Sequence, residues 1–534
     1  MVNLSRIAHE SDSHRRRREA RDSSVQSSEY AGVYGTKYAA EELPLYVMNE
    51  HGMPPDVAHQ LIRDELSLDG NPLLNMASFV TTYMDQQAQD LMSAAMSKNF
   101  IDFEQYPQTA RMQTRCINMI AELFHAPTTH HTSNSSREAE SQPSSSGAAS
   151  ATGSSEGAMG TSTVGSSEAI MLALLAMKKT WAAKRRAAGK DTASPNIIMN
   201  SAVQVCWEKA ARYFDVEERY VYCTEDRYVL DPETAVDLVD ENTIGICAIL
   251  GTTYTGHYED VQRVNDLLVE RGIECPIHVD AASGGFVAPF VCPERVWDFR
   301  LERVVSINVS GHKYGLVYPG VGWVFWRSPE YLPHELIFNV NYLGSEQATF
   351  TLNFSKGASH IIGQYYQLIR LGRDGYRAIM ANLIRISQKL AHDLAEQLGL
   401  VILSDNGGDG TNGVPLVAFR LPDDEGRLYD EFALSAVLRR RGWVVPAYTM
   451  APRSNEMKLM RVVIREDFSA HRGGILVEDL RTAMGWLEEM DETTIKRYTT
   501  YLAEHGTALP NTHSFYSSEG HSLQAKTGKT HAVC

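Results

Sequence analysis

Residues 304–326 read VVSINVSGHKYGLVYPGVGWVFW: an apolar run from Val304 to Val309, a turn of small and polar residues around Lys313, and a second apolar run from Val321 to Trp326. Short apolar runs bounded by turn residues have the form of strands buried inside a sheet. Working outward, Ile277 to Val279, Ile244 to Leu250 and Ile197 to Met199 repeat the pattern, and the amphipathic stretch VQRVNDLLVER (261–271) lies between two of them. Strand-like runs alternating with helical stretches predict an α/β fold whose mainly parallel sheet is covered by helices. Further upstream, Ile170, Leu174, Met177 and Trp181 recur at helical spacing from Ala169 to Ala188. Gly189 stops them, and Gly165-Ser166-Ser167-Glu168 opens them. A near copy, Gly153-Ser154-Ser155-Glu156, is followed by Gly157 and no apolar stripe, so only the second copy can put its amides on a helix end.

The chain has 534 residues and a formal charge of −16, which argues against a general nucleic-acid binder. No window approaches the roughly 18 consecutive apolar residues of a membrane helix. The basic cluster Arg15 to Arg18 has no apolar stretch behind it, so a secretory signal is not expected. Seven cysteines without CxxC spacing suit a reducing compartment, and a cytoplasmic protein is expected. The length calls for more than one domain. An N-terminal arm (1–72), polar and partly disordered, is expected first, then a large domain (73–383), a smaller C-terminal α/β domain (384–490) and a flexible tail (491–534). Within the large domain a Ser-rich disordered insert is expected at about 129–160, since ten of the 23 residues from Ser133 to Ser155 are Ser. His130-His131 beside it reads as solvated loop rather than a metal site, for lack of Cys or acidic residues at ligand spacing.

Three features carry chemistry. Lys313 stands between two buried strands, where a lysine has a lowered pKa and can attack a carbonyl to form a Schiff base; a loop lysine reaching solvent is the alternative. Asp280 ends the run Pro276 to Val279 in HVDAASGG (278–285), at the strand end where open α/β sheets bind ligands; an Asp that simply opens a turn is the alternative. Gly165 to Ser167 offers amides, hydroxyls and a helix dipole to a phosphate, or else a plain N-cap. An amine for a carbonyl, a carboxylate for a pyridine nitrogen and a cradle for a phosphate are together what pyridoxal 5'-phosphate requires.

Here the chain resembles the pyridoxal-phosphate-dependent glutamate decarboxylases, group II amino-acid decarboxylases with the aspartate aminotransferase-like fold. The resemblance runs from about Leu61 to Glu489, through KNFIDFEQYP (98–107), TVGSSEAIML, AVQVCWEKAARYF, TYTGHYED, HVDAASGGFVAPFV, the stretch containing residues 304–326, and FNVNYLG followed by TFTLNFS. It implies a seven-stranded, mainly parallel sheet in the large domain. It also implies decarboxylation of L-glutamate to 4-aminobutanoate and CO2, a carboxy-lyase reaction through an aldimine and a quinonoid.

By position, Lys313 resembles the aldimine lysine, Asp280 the partner of the pyridine nitrogen and Gln204 the residue covering the ring. Ser166, Ser167, Ser310 and His312 match phosphate contacts, and Thr253 and Ala282 match residues lining the ring. Tyr342 resembles the flap residue that influences where the proton returns. The resemblance assigns Asn99, Asp102 and the Ser78-Phe79 backbone to the distal carboxylate of glutamate and Arg461 to its α-carboxylate. Ser355 and the loop of Tyr342 belong in the family to the neighbouring subunit's site, which implies a homodimer or an assembly of dimers. Asp491 to Cys534 contains no Trp and few basic residues, unlike the calmodulin-binding tails of plant members, so calmodulin binding is not carried over. A related decarboxylase for another amino acid, or a catalytically silent regulatory homologue, would share most of these strings.

Overall fold

The structure, a computed structural model, describes residues 44, 46–127, 158–341, 347–406 and 412–505. They form two compact units, residues 1–71 and residues 72–534. Among its described residues the first carries the helix Pro55–Leu66, whose opening proline fits a position where no backbone donor is needed. The N-terminal arm up to residue 43, the pair His130-His131, the run Ser133 to Ser155, the first Gly-Ser-Ser copy and Tyr342 all lie outside the described residues.

The second unit is built on seven strands: β1 (Met159–Thr163), β2 (Asn196–Asn200), β3 (Glu217–Val221), β4 (Thr243–Ile249), β5 (Ile277–Asp280), β6 (Val304–Ser310) and β7 (Gly322–Trp326). Their spatial order is β1-β7-β6-β5-β4-β2-β3. Strands β2 to β6 pair in parallel, while β7 runs antiparallel to both β6 and β1. Every residue of β2, β4, β6 and β7 is buried, which is why these strands read as continuous apolar runs rather than alternating ones. The charged strand β3 sits at the sheet edge and gives no such run.

The insert expected to reach about residue 160 ends sooner, because Ala158 is already buried and Met159 and Gly160 belong to β1. Composition misreads this strand, since its small residues are demanded by close packing. A Cβ on Gly160 would lie 2.7 Å from the Val324 carbonyl oxygen on β7. A short hairpin of β8 (Phe338–Val340) and β9 (Gln347–Thr349) follows. The helix Ser359–Leu398, broken by left-handed Gly372, then leads into a four-stranded antiparallel sheet. Its members are β10 (Val401–Ile402), β11 (Leu416–Arg420), β12 (Ala447–Thr449) and β13 (Lys458–Val463). The helices Glu431–Arg439 and Ala470–Glu488 belong to the same stretch of chain, as their apolar spacing predicts. Among the described residues no helix is long and apolar enough to cross a membrane, and the six described cysteines are buried and form no disulfide with one another.

Candidate active site

The turn after β6 is folded tightly on itself. Val317 donates its backbone N–H to the Gly311 carbonyl at 3.2 Å, and a Cβ on Gly315 would lie 2.5 Å from that carbonyl oxygen, so only glycine fits. Leu316 closes the turn in the left-handed region (φ 62°), a cost of about 1–3 kcal/mol that the surrounding contacts must offset. Residues 78–84 clip the turn from outside, with Thr81 donating its N–H to the His312 carbonyl and its hydroxyl to the Lys313 carbonyl. Lys313 is thereby held half-buried, its Nζ donating to Ser283 Oγ at 3.3 Å and lying 5.1 Å from the Phe79 ring centre.

One strand over, β5 ends in Asp280. Its carboxylate is 5% exposed and meets only donors: Trp207 Nε1 at 2.8 Å, Asn308 Nδ2 at 3.0 Å and the Ala282 N–H at 3.1 Å. On the other side of β6, the helix Ser166–Ala187 begins at the end of β1, and Ser166 Oγ lies 2.6 Å from Ser310 Oγ. β7 runs back between these strands, so Gly322, its first residue, abuts the helix start: a Cβ there would come within 2.5 Å of the Gly165 carbonyl carbon. His312 packs against the same turn, and its buried Nδ1 has no hydrogen-bond partner among the described residues. Burial without an anionic partner, reinforced by the Lys313 charge, pushes this imidazole down to about 4.

Phe79 lies under two cations, since the guanidinium of Arg461 is 5.3 Å from the ring that Lys313 also faces. Arg461 is fully buried on β13 and is pinned by the carbonyls of Ala77 and Thr253. The Ser78 carbonyl accepts from Arg465 Nη1 at 3.3 Å. Gln204 caps the helix Val205–Tyr213, its Oε1 accepting from the Cys206 N–H at 2.7 Å. Ser167 is exposed one residue past the cradle.

A second group stands apart. Asn99 and Ser355 are both exposed and 3.4 Å apart, on segments joined by the Asn99–Gly357 bridge. Asp102 accepts from the Gln105 N–H at 3.1 Å. Among the described residues no hydrogen bond or ion pair joins Asn99, Asp102 or Ser355 to Lys313 or Asp280. Ser283, Trp207, Asn308 and Thr81 were not singled out from sequence, although Trp207, Ser283 and Asn308 lie inside quoted strings.

The residues fit pyridoxal 5'-phosphate. Paired hydroxyls at a helix N-terminus and a buried imidazole nitrogen without a partner among the described residues suit a phosphate, a carboxylate fed only by donors can still accept from a ring N–H, and an amine stands between them. A family model described as the pyridoxal-dependent decarboxylase conserved domain matches residues 50–422. The chain belongs to this family. Among curated relatives of this decarboxylase, glutamate decarboxylase 1 of Arabidopsis thaliana is 51% identical over 469 residues, covering 87% of each chain. The glutamate decarboxylase of Petunia hybrida is 50% identical over 462 residues, covering 86% of each. The solved glutamate decarboxylase of Lactobacillus brevis aligns with a TM-score of 0.77 and 41% identity, covering 86% of this chain and 99% of that one.

Proposed function

We propose that this pyridoxal-dependent decarboxylase converts L-glutamate to 4-aminobutanoate and CO2, a proton taking the place of the departing carboxylate at Cα. The observation that carries this reading is the meeting of Lys313, Asp280 and the Ser166–Ser310 pair at the C-terminal ends of the central strands β5 and β6. The choice of glutamate rests on relatives of that activity sharing about half of the sequence over most of their length.

Ser166, Ser310 and His312 would hold the phosphate, Asp280 the ring nitrogen and Lys313 the carbonyl carbon. When bound, the cofactor supplies an electrophilic carbonyl and a ring that accepts the electron pair left by the carboxylate. Asp280, whose three hydrogen-bond neighbours all donate to it, would accept from the N–H of the ring nitrogen and favour positive charge there. Arg461, fixed by two carbonyls, supplies the cation for the α-carboxylate of the substrate, and the Ser78-Phe79 backbone faces the distal one. Thr253 and Ala282 line the ring, Gln204 covers it from its place at a helix cap, and Tyr342 bears on where the proton returns.

Among the described residues no hydrogen bond or ion pair runs directly from Asn99, Asp102 or Ser355 to Lys313 or Asp280, which fits their completing the partner subunit's site in a homodimer or larger assembly. Calmodulin binding is not part of the proposal. Six buried cysteines that form no disulfide with one another fit a reducing compartment such as the cytoplasm.

The experiment is a product assay on purified protein offered glutamate and several other amino acids, alongside Lys313→Ala. Product from glutamate alone, lost by several orders of magnitude in the variant, is expected. Normal turnover by Lys313→Ala would refute the assignment.

A further inference from the structure

Behind Asp280 the sheet carries a row of polar side chains that the reaction as described does not use. Strands β5 and β6 pair in parallel with His278 beside Ser306 and Asp280 beside Asn308. Residues two apart point to the same face, so these four side chains form a polar square within the core, and Trp207 from the helix Val205–Tyr213 packs edge-on to His278 at 5.2 Å. His278, Ser306, Asn308 and Trp207 have no exposed surface, and Asp280 is 5% exposed.

Four polar groups sealed in an apolar core must satisfy one another, and the distances allow one arrangement of protons. Asn308 Nδ2 lies 3.0 Å from Asp280 Oδ1; the flipped amide would set oxygen against oxygen. The amide oxygen of Asn308 therefore faces His278 Nε2 at 2.7 Å, which requires the proton to be on Nε2. His278 Nδ1 is then an acceptor, and Ser306 Oγ at 2.7 Å donates to it. Burial pushes His278 down to about 4, so the ring stays neutral and this tautomer is the one present at neutral pH. Each hydrogen bond along Ser306, His278 and Asn308 points its proton toward Asp280, and the indole of Trp207, which can only donate, closes the other oxygen.

We propose that Asn308 and Trp207 are positioning residues for the reaction, Asn308 being oriented by the His278 tautomer, and that together they hold Asp280 as an acceptor-only carboxylate directed at the ring nitrogen. The inference rests on the reading of Asp280 given above. It adds that the carboxylate is oriented from behind the sheet, by a chain of directed hydrogen bonds rather than by a neighbouring cation. Among the described residues no ion pair reaches Asp280.

The test is Asn308→Asp in the holoenzyme prepared with pyridoxal 5'-phosphate. The variant keeps the volume of the side chain and replaces its donor by an acceptor, placing two carboxyl groups within hydrogen-bond distance. The expected loss in kcat is roughly 10- to 100-fold, the usual effect of removing an orienting partner. KM for glutamate should stay within about threefold, because Asn308 does not touch substrate. The dissociation constant of the cofactor, measured by quenching of tryptophan fluorescence in the reconstituted apoprotein, should rise by about tenfold or more. Wild-type kcat and cofactor affinity in the variant would overturn the proposal, and so would a lowered melting temperature with turnover per bound cofactor unchanged.

If Asn308→Asp does not fold, the wild-type protein still decides the orientation. Nitrogen-15 shifts of labelled histidine should show His278 protonated at Nε2, and protonation at Nδ1 overturns it. His278→Phe keeps the ring and its edge contact while freeing Asn308 to flip; a kcat loss at unchanged KM is expected, and wild-type kcat refutes the link. Asp280→Asn separates the two levels of the argument. If it retains turnover, the reading of Asp280 itself fails; if it is inactive while Asn308→Asp is normal, only the present inference fails.

Discussion

Gly322→Ala places a methyl group where the first residue of β7 meets the start of the helix Ser166–Ala187. The added Cβ would lie 2.5 Å from the Gly165 carbonyl carbon, 2.7 Å from the Ser166 nitrogen and 2.9 Å from the Gly165 oxygen. Backbone atoms cannot rotate aside as a flexible side chain can, so the helix start must retreat by about 1 Å to reach ordinary contact. Ser166 Oγ now lies 2.6 Å from Ser310 Oγ, and such a shift pulls the hydroxyl pair apart. Overpacking of this kind costs about 1–3 kcal/mol in stability. One misplaced hydrogen bond to a charged group costs a further ~1.5–3 kcal/mol in binding, or roughly 10- to 150-fold in cofactor affinity. The assay is titration of the apoprotein with pyridoxal 5'-phosphate, followed by absorbance. Gly160→Ala serves as comparison: its Cβ would strike the Val324 carbonyl oxygen at 2.7 Å in the same β1–β7 pair, but three residues from the corner. It should lower the melting temperature without weakening the cofactor specifically. Equal affinity in wild type and Gly322→Ala, or equal weakening in both variants, would refute the cradle.

Burial holds His312 down near 4, and a phosphate dianion beside it would raise that value, so cofactor binding should take up a proton. Affinity should then be greatest at low pH and weaken as pH rises through the value His312 has in the complex; a dissociation constant that is flat between pH 5 and 8, or the same slope in His312→Gln, would contradict this. Asp102→Asn can still accept from the Gln105 N–H while its Nδ2 donates outward, so the alkaline limb of kcat/KM for glutamate should move upward by roughly one pH unit, read from a pH–rate profile. Glu259, 1% exposed, accepts from Asn200 Nδ2 and the N–H groups of Leu230 and Ile249. Glu259→Gln turns a donor onto one of these donors and should cost about 1–3 kcal/mol in urea unfolding of the holoenzyme.

The sheet was legible where burial on both faces imposes continuous apolar runs, as in β4 and β6, and Lys313, Asp280 and the Ser166 helix start stood out as chemistry set among glycines and small residues. β3 escaped because an edge strand may be charged, and β1 because its small residues, chosen for contact with β7, look like the polar stretch before them. Arg461 and Asn99 carry no local sign of their roles and came only from the family resemblance. The polar square behind Asp280 was illegible for a different reason. His278 and Ser306 are 28 residues apart, and nothing in either neighbourhood states the register that joins them.

Because β7 is antiparallel to β1, the two ends of β1 face opposite edges of the sheet. Thr163 pairs with Gly322 at the cofactor corner, whereas Met159 pairs with Trp326, a strand length of roughly 15 Å away. The described chain therefore enters β1 at the rim away from the cofactor corner and reaches that corner only at Thr163. For anyone building with this enzyme, β1 is a spacer: chemistry attached at Met159 stays a strand's length from the cradle.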